Sequence, residues 1–447
     1  MADRPNRPLS LSGVQVAGFK SLARRQAELV EFRPLTVLAG ANSSGKSSLM
    51  QAILLLKQTL EAGFDPGALL LDGPNIRFSS ADQMFTHLGK KIKPAESFEV
   101  ELHFGQSGYV RLEFCRHESK VVDIKRVEYG KEAQSIELTP QMKSDEIVRQ
   151  SPDGRGFISL GALEKQPEIE YTISKRRFFL GISFRPKGAE AFMGPILPHQ
   201  AADAAERFLR RLIHLPGLRG NPERDYRMTA VGAVFPGRFE TYTAAIIASW
   251  KGEKAKDKLE SLNEDLLALG LTWKASANRL NDTQVELVVG RLPKPIQGGA
   301  HDLVNIADVG LGVSQTLPVV VALHAAESGQ CVYLEQPEIH LHPKAQVAMA
   351  GVLARAVNRG VQVIVETHSS LLLLALQTMV AEGKELSVQQ VKLHWFDRDE
   401  KDGATVIRSG QLDETGAYGN WPENFGKVEM DLESRYLDAV DARHHDK

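Results

Sequence analysis

Apolar residues recur along the chain in three rhythms, and each rhythm predicts a different element. Short continuous runs, Leu35-Thr-Val-Leu-Ala39, Gln330-Cys-Val-Tyr-Leu-Glu335 and Val361-Gln-Val-Ile-Val-Glu366, read as strands buried on both faces. Strict alternation in Phe98-Glu-Val-Glu-Leu-His-Phe104 and Tyr109-Val-Arg-Leu-Glu-Phe114 predicts half-buried antiparallel strands. Strand-like stretches follow at Glu168–Ile173 and Phe178–Phe184. Helical spacing marks Ser48 to Lys57, Ala201 to Leu215 and Lys254 to Leu269. From about residue 301 to 385 helix and strand alternate, the signature of a parallel sheet. Val391–Phe396 and Ala404–Arg408 flank an Asp402-Gly403 turn and predict a β-hairpin. The pattern is that of an α/β protein.

A chain of 447 residues can bury a large core, so one big domain with an insertion, or two domains, is expected. Three zones suggest themselves: 1–130, a less regular 131–300, and 301–447. A net charge of −2 argues against a wholesale polycationic surface while leaving room for a local basic patch. Cys115 and Cys331 lie far apart inside apolar runs, which predicts reduced core thiols and neither a disulfide framework nor a zinc site. No signal peptide opens the chain, and the apolar stretch around Leu371–Leu376 is too short to span a bilayer. The expectation is a soluble cytoplasmic protein with no membrane partner. The final residues, His444 to Lys447, are expected to fray.

The chemistry begins at Gly40-Ala41-Asn42-Ser43-Ser44-Gly45-Lys46-Ser47, followed by Ser48. Strand, glycine-rich loop and helix N-terminus form an anion trap, because backbone N–H groups and the helix dipole converge on phosphate oxygens. Lys46 is placed to reach β- and γ-phosphates, and the Ser47 hydroxyl to ligand Mg²⁺. The expected cofactors are therefore ATP and Mg²⁺. Glu335 ends an apolar strand, where a nucleotide-binding sheet holds the metal or its water shell. Glu338 follows closely enough to orient an attacking water. Asp308-Val-Gly310-Leu-Gly312-Val-Ser314-Gln315-Thr-Leu-Pro318 reads as a glycine-rich turn entering a helix, with Ser314 as N-cap and Pro318 in the first turn. Thr367-His368-Ser369-Ser370 sits at the carboxyl end of a buried strand, facing the ligand crevice of an open α/β sheet, and His368 suits a γ-phosphate sensor.

In this order and spacing the motifs resemble an ABC-type, AAA-labelled ATPase head of the RecF, SMC and OLD-like branch. Gly18-Phe-Lys-Ser21 is similar to that branch's opening. Glu335-Gln-Pro-Glu-Ile-His-Leu-His-Pro343 resembles its acidic box, and Glu366-Thr-His-Ser-Ser370 its switch. Leu215-Pro-Gly-Leu-Arg-Gly-Asn-Pro-Glu-Arg-Asp-Tyr226 and Trp421-Pro-Glu-Asn-Phe425 look like features of a compact subgroup that lacks a long coiled coil and occurs in bacterial defence loci. The resemblance implies a P-loop mixed sheet with an antiparallel β subdomain plus a helical lobe. It also implies a homodimer or higher oligomer of heads, with ATP on one subunit's phosphate loop closed over by the other's signature helix. Carried over, Gly40 to Ser48 hold phosphates and Mg²⁺, and Glu335 takes the Mg²⁺-linked acidic position. Gly310, Gly312, Ser314 and Gln315 meet the partner's γ-phosphate, and His368 is the switch histidine. One departure matters: the general-base position directly after Glu335 is Gln336, and an amide cannot accept a proton from water. Either Glu338 orients the nucleophile or hydrolysis is slow. Gln83 is the best candidate for a glutamine loop.

Two function classes follow. One is an ATP-hydrolysing switch whose dimer regulates a separate effector protein in DNA metabolism or anti-phage defence. The other is an ATP-gated scaffold or sensor with little or no hydrolysis. An intrinsic nuclease is disfavoured, because Asp397 and Asp399 fall at the hairpin and only 44 residues (447 − 403) follow it. His340 and His342, two apart, belong on this reading to a dimer-facing loop rather than a zinc site. Basic residues exceed acidic ones from Lys175 to Arg227, including Lys175-Arg176-Arg177, Arg185, Lys187, Arg207, Arg210, Arg211, Arg219 and Arg224. That stretch suits either DNA or RNA phosphate contact or a solvated face with intramolecular pairs. The aromatics among them, Phe178, Phe179 and Phe184, suit a core equally well.

Overall fold

The computed structural model describes residues 10–89, 94–116, 122–149, 169–190, 192–196, 200–252, 255–292, 294, 302–419 and 431–438. Trp421–Phe425 and His444–Lys447 lie outside the described residues. In chain order, β1 (Gly13–Ala17), β2 (Val30–Glu31) and β3 (Leu35–Gly40) lead into α1 (Lys46–Glu61). Four antiparallel strands follow: β4 (Ser97–His103), β5 (Tyr109–Arg116), β6 (Val122–Lys131) and β7 (Gln134–Leu138). Helix α2 (Ser144–Arg149) precedes a small sheet of β8 (Ile169–Arg176), β9 (Phe179–Pro186) and β10 (Met193–Ile196). After α3 (Gln200–Arg211) come β11 (Ile213–Leu215), β12 (Tyr226–Arg227), α4 (Thr243–Ser249), α5 (Lys256–Ala268), β13 (Ala275–Arg279), β14 (Gln284–Gly290) and β15 (Leu303–Asn305). The chain ends in α6 (Leu311–Ala325), β16 (Cys331–Glu335), α7 (Pro343–Asn358), β17 (Gln362–Thr367), α8 (Ser370–Glu382), β18 (Val391–Arg398) and β19 (Thr405–Gly410).

The central sheet runs β11-β16-β17-β3-β18-β19 and is parallel except for β19. Its continuous apolar runs are explained by cover on both faces. Leu38, Tyr333, Ile364 and Phe396 pack with α1, α3 and the antiparallel strands in one core. Val37, Leu334, Val365 and Leu393 pack with α4 to α8 in the other. The antiparallel sheet, β2-β1-β4-β5-β6-β7, turns Val100, Leu102, Val110 and Leu112 inward. Its outer face carries cross-strand pairs such as Arg111 with Glu101 and Glu128. A third layer, β12 to β15 with α4 and α5, lies beside α6. The mixed sheet and antiparallel subdomain match the expected α/β head.

Two local expectations are corrected. The helix expected over Ala201–Leu215 ends at Arg211. Ile213-His-Leu215 instead pairs in parallel with Val332-Tyr-Leu334, so a tertiary ladder outweighs local helical spacing. The N-cap of α6 is Gly310, not Ser314, and Pro318 lies in the helix interior rather than its first turn. Lacking an N–H, Pro318 leaves the Ser314 carbonyl without its helical donor.

Candidate active site

The phosphate loop is shaped by close approach of the β18–β19 hairpin. Gly40 has φ +140°, and a Cβ there would sit 2.1 Å from the Phe396 carbonyl oxygen. Gly45 caps α1 in the left-handed region at φ +108°, against the side chain of Thr405. Thr405 Oγ1 donates to Ser44 O at 2.9 Å, and Arg398 Nε donates to Ser43 O at 2.7 Å. Ala41, Asn42 and Ser43 are exposed, whereas Ser44, Gly45 and Lys46 are buried. Lys46 Nζ donates to the carbonyls of Gly40 (3.0 Å) and Ala41 (2.8 Å). Burial lowers its pKa, opposed by the charges of Glu366 and Glu338.

The neighbouring strand ends converge on this loop. Ser47 Oγ donates to Glu366 Oε2 at 2.8 Å, and the Tyr333 hydroxyl bonds the other Glu366 oxygen. Glu366 and Glu335 are cross-strand neighbours in the β16–β17 register. Burial, and then the charge of Glu335, push the Glu366 carboxyl up to about 7; Tyr333, Ser47 and Lys46 oppose the rise. Glu335 is instead held by His214 Nε2 at 2.9 Å and the Gly217 N–H at 3.1 Å. Burial would raise its pKa, but the bond and charge of His214 hold it below the ordinary range. The carboxylate that meets Ser47 is thus Glu366, while Glu335 reaches the β11 edge.

Glu338 is buried. Its Oε1 accepts from Thr367 Oγ1 (2.7 Å) and the His368 N–H (2.9 Å), while Oε2 has no hydrogen-bond partner among the described residues. Burial, followed by the Lys46 charge, lowers the pKa of His368; the Gly40 backbone pulls the other way. Gln336 has a left-handed φ of +45°, and its N–H donates to Glu366 O at 2.8 Å. Its amide lies beside Gly217. Lys46, Ser47, Glu338 and His368 therefore share one site.

Helix α6 differs from expectation in which residues it presents. Ser314 and Gln315 are buried: Ser314 Oγ donates to Leu311 O, and Gln315 Nε2 donates to Gly220 O. Gly310 and Leu311 are the exposed groups at the helix start, and Gly312 is half-buried. Burial follows from α6 packing against the 217–220 loop, which the motif alone did not specify. Arg219, one residue of the basic stretch, is buried, donating from Nη1 to Gln315 O (3.1 Å) and from Nη2 to Glu335 O (2.8 Å). Burial lowers its pKa to about 10.

Other nominated residues fall elsewhere. Among the described residues Gln83 bonds only its own turn, exchanging hydrogen bonds with Ser79. Much of the basic stretch is spent inside the chain: Lys175 on Asp123, Arg176 and Arg210 on Glu206, Arg185 on Glu170, Arg211 on Glu327 and Arg224 on Asp308. Phe178 and Phe179 are core. His342 caps α7, accepting from the Lys344 N–H, and no metal-holding cluster occurs among the described residues. Both cysteines are free, Cys331 buried and Cys115 only half-buried. No helix among the described residues is long and apolar enough to cross a membrane.

Residues 35–179 and 292–375, more than half of the chain, match a family model described as "AAA domain, putative AbiEii toxin, Type IV TA system". No curated protein matches. Among solved structures, an SMC head bound to the C-winged-helix domain of ScpA is 14% identical, covering 90% of this chain and 98% of its own, with a TM-score of 0.47. The SMC head of Thermotoga maritima is 13% identical over 89% of this chain and 98% of that chain, with a TM-score of 0.39. The SMC head of Pyrococcus furiosus, with an extended coiled coil and bound to the C-terminal domain of ScpA, is 14% identical over 90% and 96%, with a TM-score of 0.44.

Proposed function

The chain belongs to the AAA-domain family described as putative AbiEii toxin, type IV TA system, and from that premise we propose that it is an ABC-type ATP-binding and hydrolysing switch. In this reading two heads close on nucleotide and regulate a separate effector protein, in DNA metabolism or anti-phage defence. The observation that carries it is the meeting of Lys46, the Ser47–Glu366 bond, Glu338 and His368 at one glycine-shaped loop.

The residues suit Mg·ATP. Left-handed backbone at Ser43 and Gly45 suits the kind of concave N–H nest that holds phosphate. A buried lysine supplies charge, and Glu338 Oε2 is an acceptor with no partner among the described residues. Gly40 to Ser48 and Lys46 would hold the phosphates. Ser47, with Glu366 beside it and Glu335 behind, would hold the metal. Bound Mg·ATP supplies the electrophilic γ-phosphoryl group. Glu338 then acts as general base through Oε2, since Thr367 and the His368 N–H fix its other oxygen. His368, beside the Gly40 backbone and the Lys46 charge, would sense the phosphate. Leu311 and Gly310, exposed at the start of α6, form the face offered to a second head. Intramolecular use of the basic stretch favours a protein effector over nucleic acid.

A second reading, an ATP-gated scaffold with little turnover, is favoured by Gln336 standing directly after Glu335. Phosphate release by purified protein separates the two. Turnover in wild type that is lost in Lys46→Ala supports the switch; nucleotide binding without release supports the scaffold.

A further inference from the structure

One short stretch, His214 to Gly220, touches both the acidic strand end and α6. His214 Nε2 and the Gly217 N–H take the two oxygens of the Glu335 carboxylate. The Arg219 fork then donates from Nη1 to Gln315 O (3.1 Å) and from Nη2 to the carbonyls of Glu335 (2.8 Å) and Gln336 (3.4 Å). Gly220 O accepts in return from the Gln315 side chain. The turn that follows Glu335 is left-handed at Gln336 and His340. It closes through the Ile339 N–H on Gln336 O and the Leu341 N–H on Glu338 O. It also sits tightly against α6, since a Cβ on Gly312 would come 3.2 Å from His340 O.

Holding backbone together in this way is costly. Arg219 is 7% exposed, and its hydrogen-bond partners among the described residues are three neutral carbonyls. A buried charge without a carboxylate in contact is hard to justify by folding alone. A planar fork can reach from one carbonyl on α6 to two at the strand end, whereas an ammonium meets them only as a point. What the fork joins is informative: Glu338 lies two residues beyond Gln336, and its Oε1 is already fixed by Thr367 and the His368 N–H. The acid is thereby held from β17 on one side and through the Arg219-bound carbonyls on the other.

We propose that Arg219 is a positioning residue that locks the Gln336–Leu341 turn to α6, fixing where Glu338 stands and letting a displacement of α6 reach it. The inference rests on the reading of Glu338 as general base.

Hydrogen exchange on the free full chain tests the link without nucleotide. In Arg219→Met the amides of 336–341 should exchange about tenfold faster than in wild type, the loss of roughly one hydrogen bond. Turnover supplies a readout that a purely structural role would not move selectively. Phosphate release should fall at least about tenfold while affinity for a fluorescent ATP analogue stays within a few fold, because the Lys46 loop is untouched. Arg219→Lys keeps the charge but cannot bridge, so it should behave like Arg219→Met. Gln315→Ala frees Gly220 from α6 with Arg219 in place and guards against misfolding of the arginine variants; it should shift exchange and turnover in the same directions by smaller factors. Unchanged exchange at 336–341 in Arg219→Met, full recovery by lysine, or equal losses of affinity and turnover overturns the proposal. Wild type without turnover sinks the general-base reading instead, and exchange alone then decides for Arg219.

Discussion

Glu366→Gln isolates the most perturbed carboxyl beside the phosphate loop. In the native protein burial and the Glu335 charge push Glu366 from the ordinary 4.5 to about 7. The folded state therefore holds a proton that the unfolded chain has released between those values, and stability falls as pH rises through that window. At 1.36 kcal/mol per unit the loss reaches about 3 kcal/mol by pH 8, levelling off above about pH 7. Glutamine keeps the shape, and its carbonyl can still accept from Tyr333 or Ser47, but it cannot ionise. Urea unfolding in EDTA at pH 5, 6, 7 and 8 reads the effect as the difference between variant and wild type. The variant should gain about 2.5 kcal/mol relative to wild type between pH 5 and 8, the remainder of the loss falling below pH 5. A difference that stays constant across that range, or grows toward acid pH, refutes the assigned environment of Glu366.

Glu338→Gln should cut phosphate release at least about a hundredfold, as expected for a lost general base, while ATP affinity stays within a few fold; unchanged turnover in a release assay moves the base elsewhere. Leu311→Arg, at the exposed start of α6, should abolish the doubling of mass on adding an ATP analogue in light scattering; an unaffected dimer removes α6 from the interface. Asp265 accepts from His324 at 2.7 Å and from Arg355 at 2.9 Å. Burial would raise its pKa, but these partners hold it below the ordinary value. Asp265→Ala should cost about 3 kcal/mol at pH 7, with the gap closing as acid protonates the wild-type carboxyl, followed by denaturant midpoints.

Much of this arrangement was legible because buried strands, a phosphate loop and helix-strand alternation are local signals. Leu35–Ala39, Val361–Glu366 and the Asp402-Gly403 hairpin each carry their structure in their own spacing. What was not legible depends on pairing across long separations. Ile213-His-Leu215 becomes a strand only because β16 offers an edge, and Gln315 is tied down only because the 217–220 loop folds against α6. Glu366 illustrates the middle case. A carboxylate inside an apolar run was visible, but its contact with Ser47 spans 319 residues and depends on β17 lying beside β3. Arg219 was visible only as one basic residue among many, since charge count says nothing about burial.

The central claim is that this loop grips a nucleoside triphosphate through Lys46. Equilibrium binding of a fluorescent ATP analogue with Mg²⁺, compared among wild type, Lys46→Ala and Glu338→Gln, tests it most directly. Wild type and Glu338→Gln should bind alike, and Lys46→Ala should bind at least about tenfold more weakly, the loss of one charged phosphate contact. Equal affinity for all three, or none for wild type, contradicts the account.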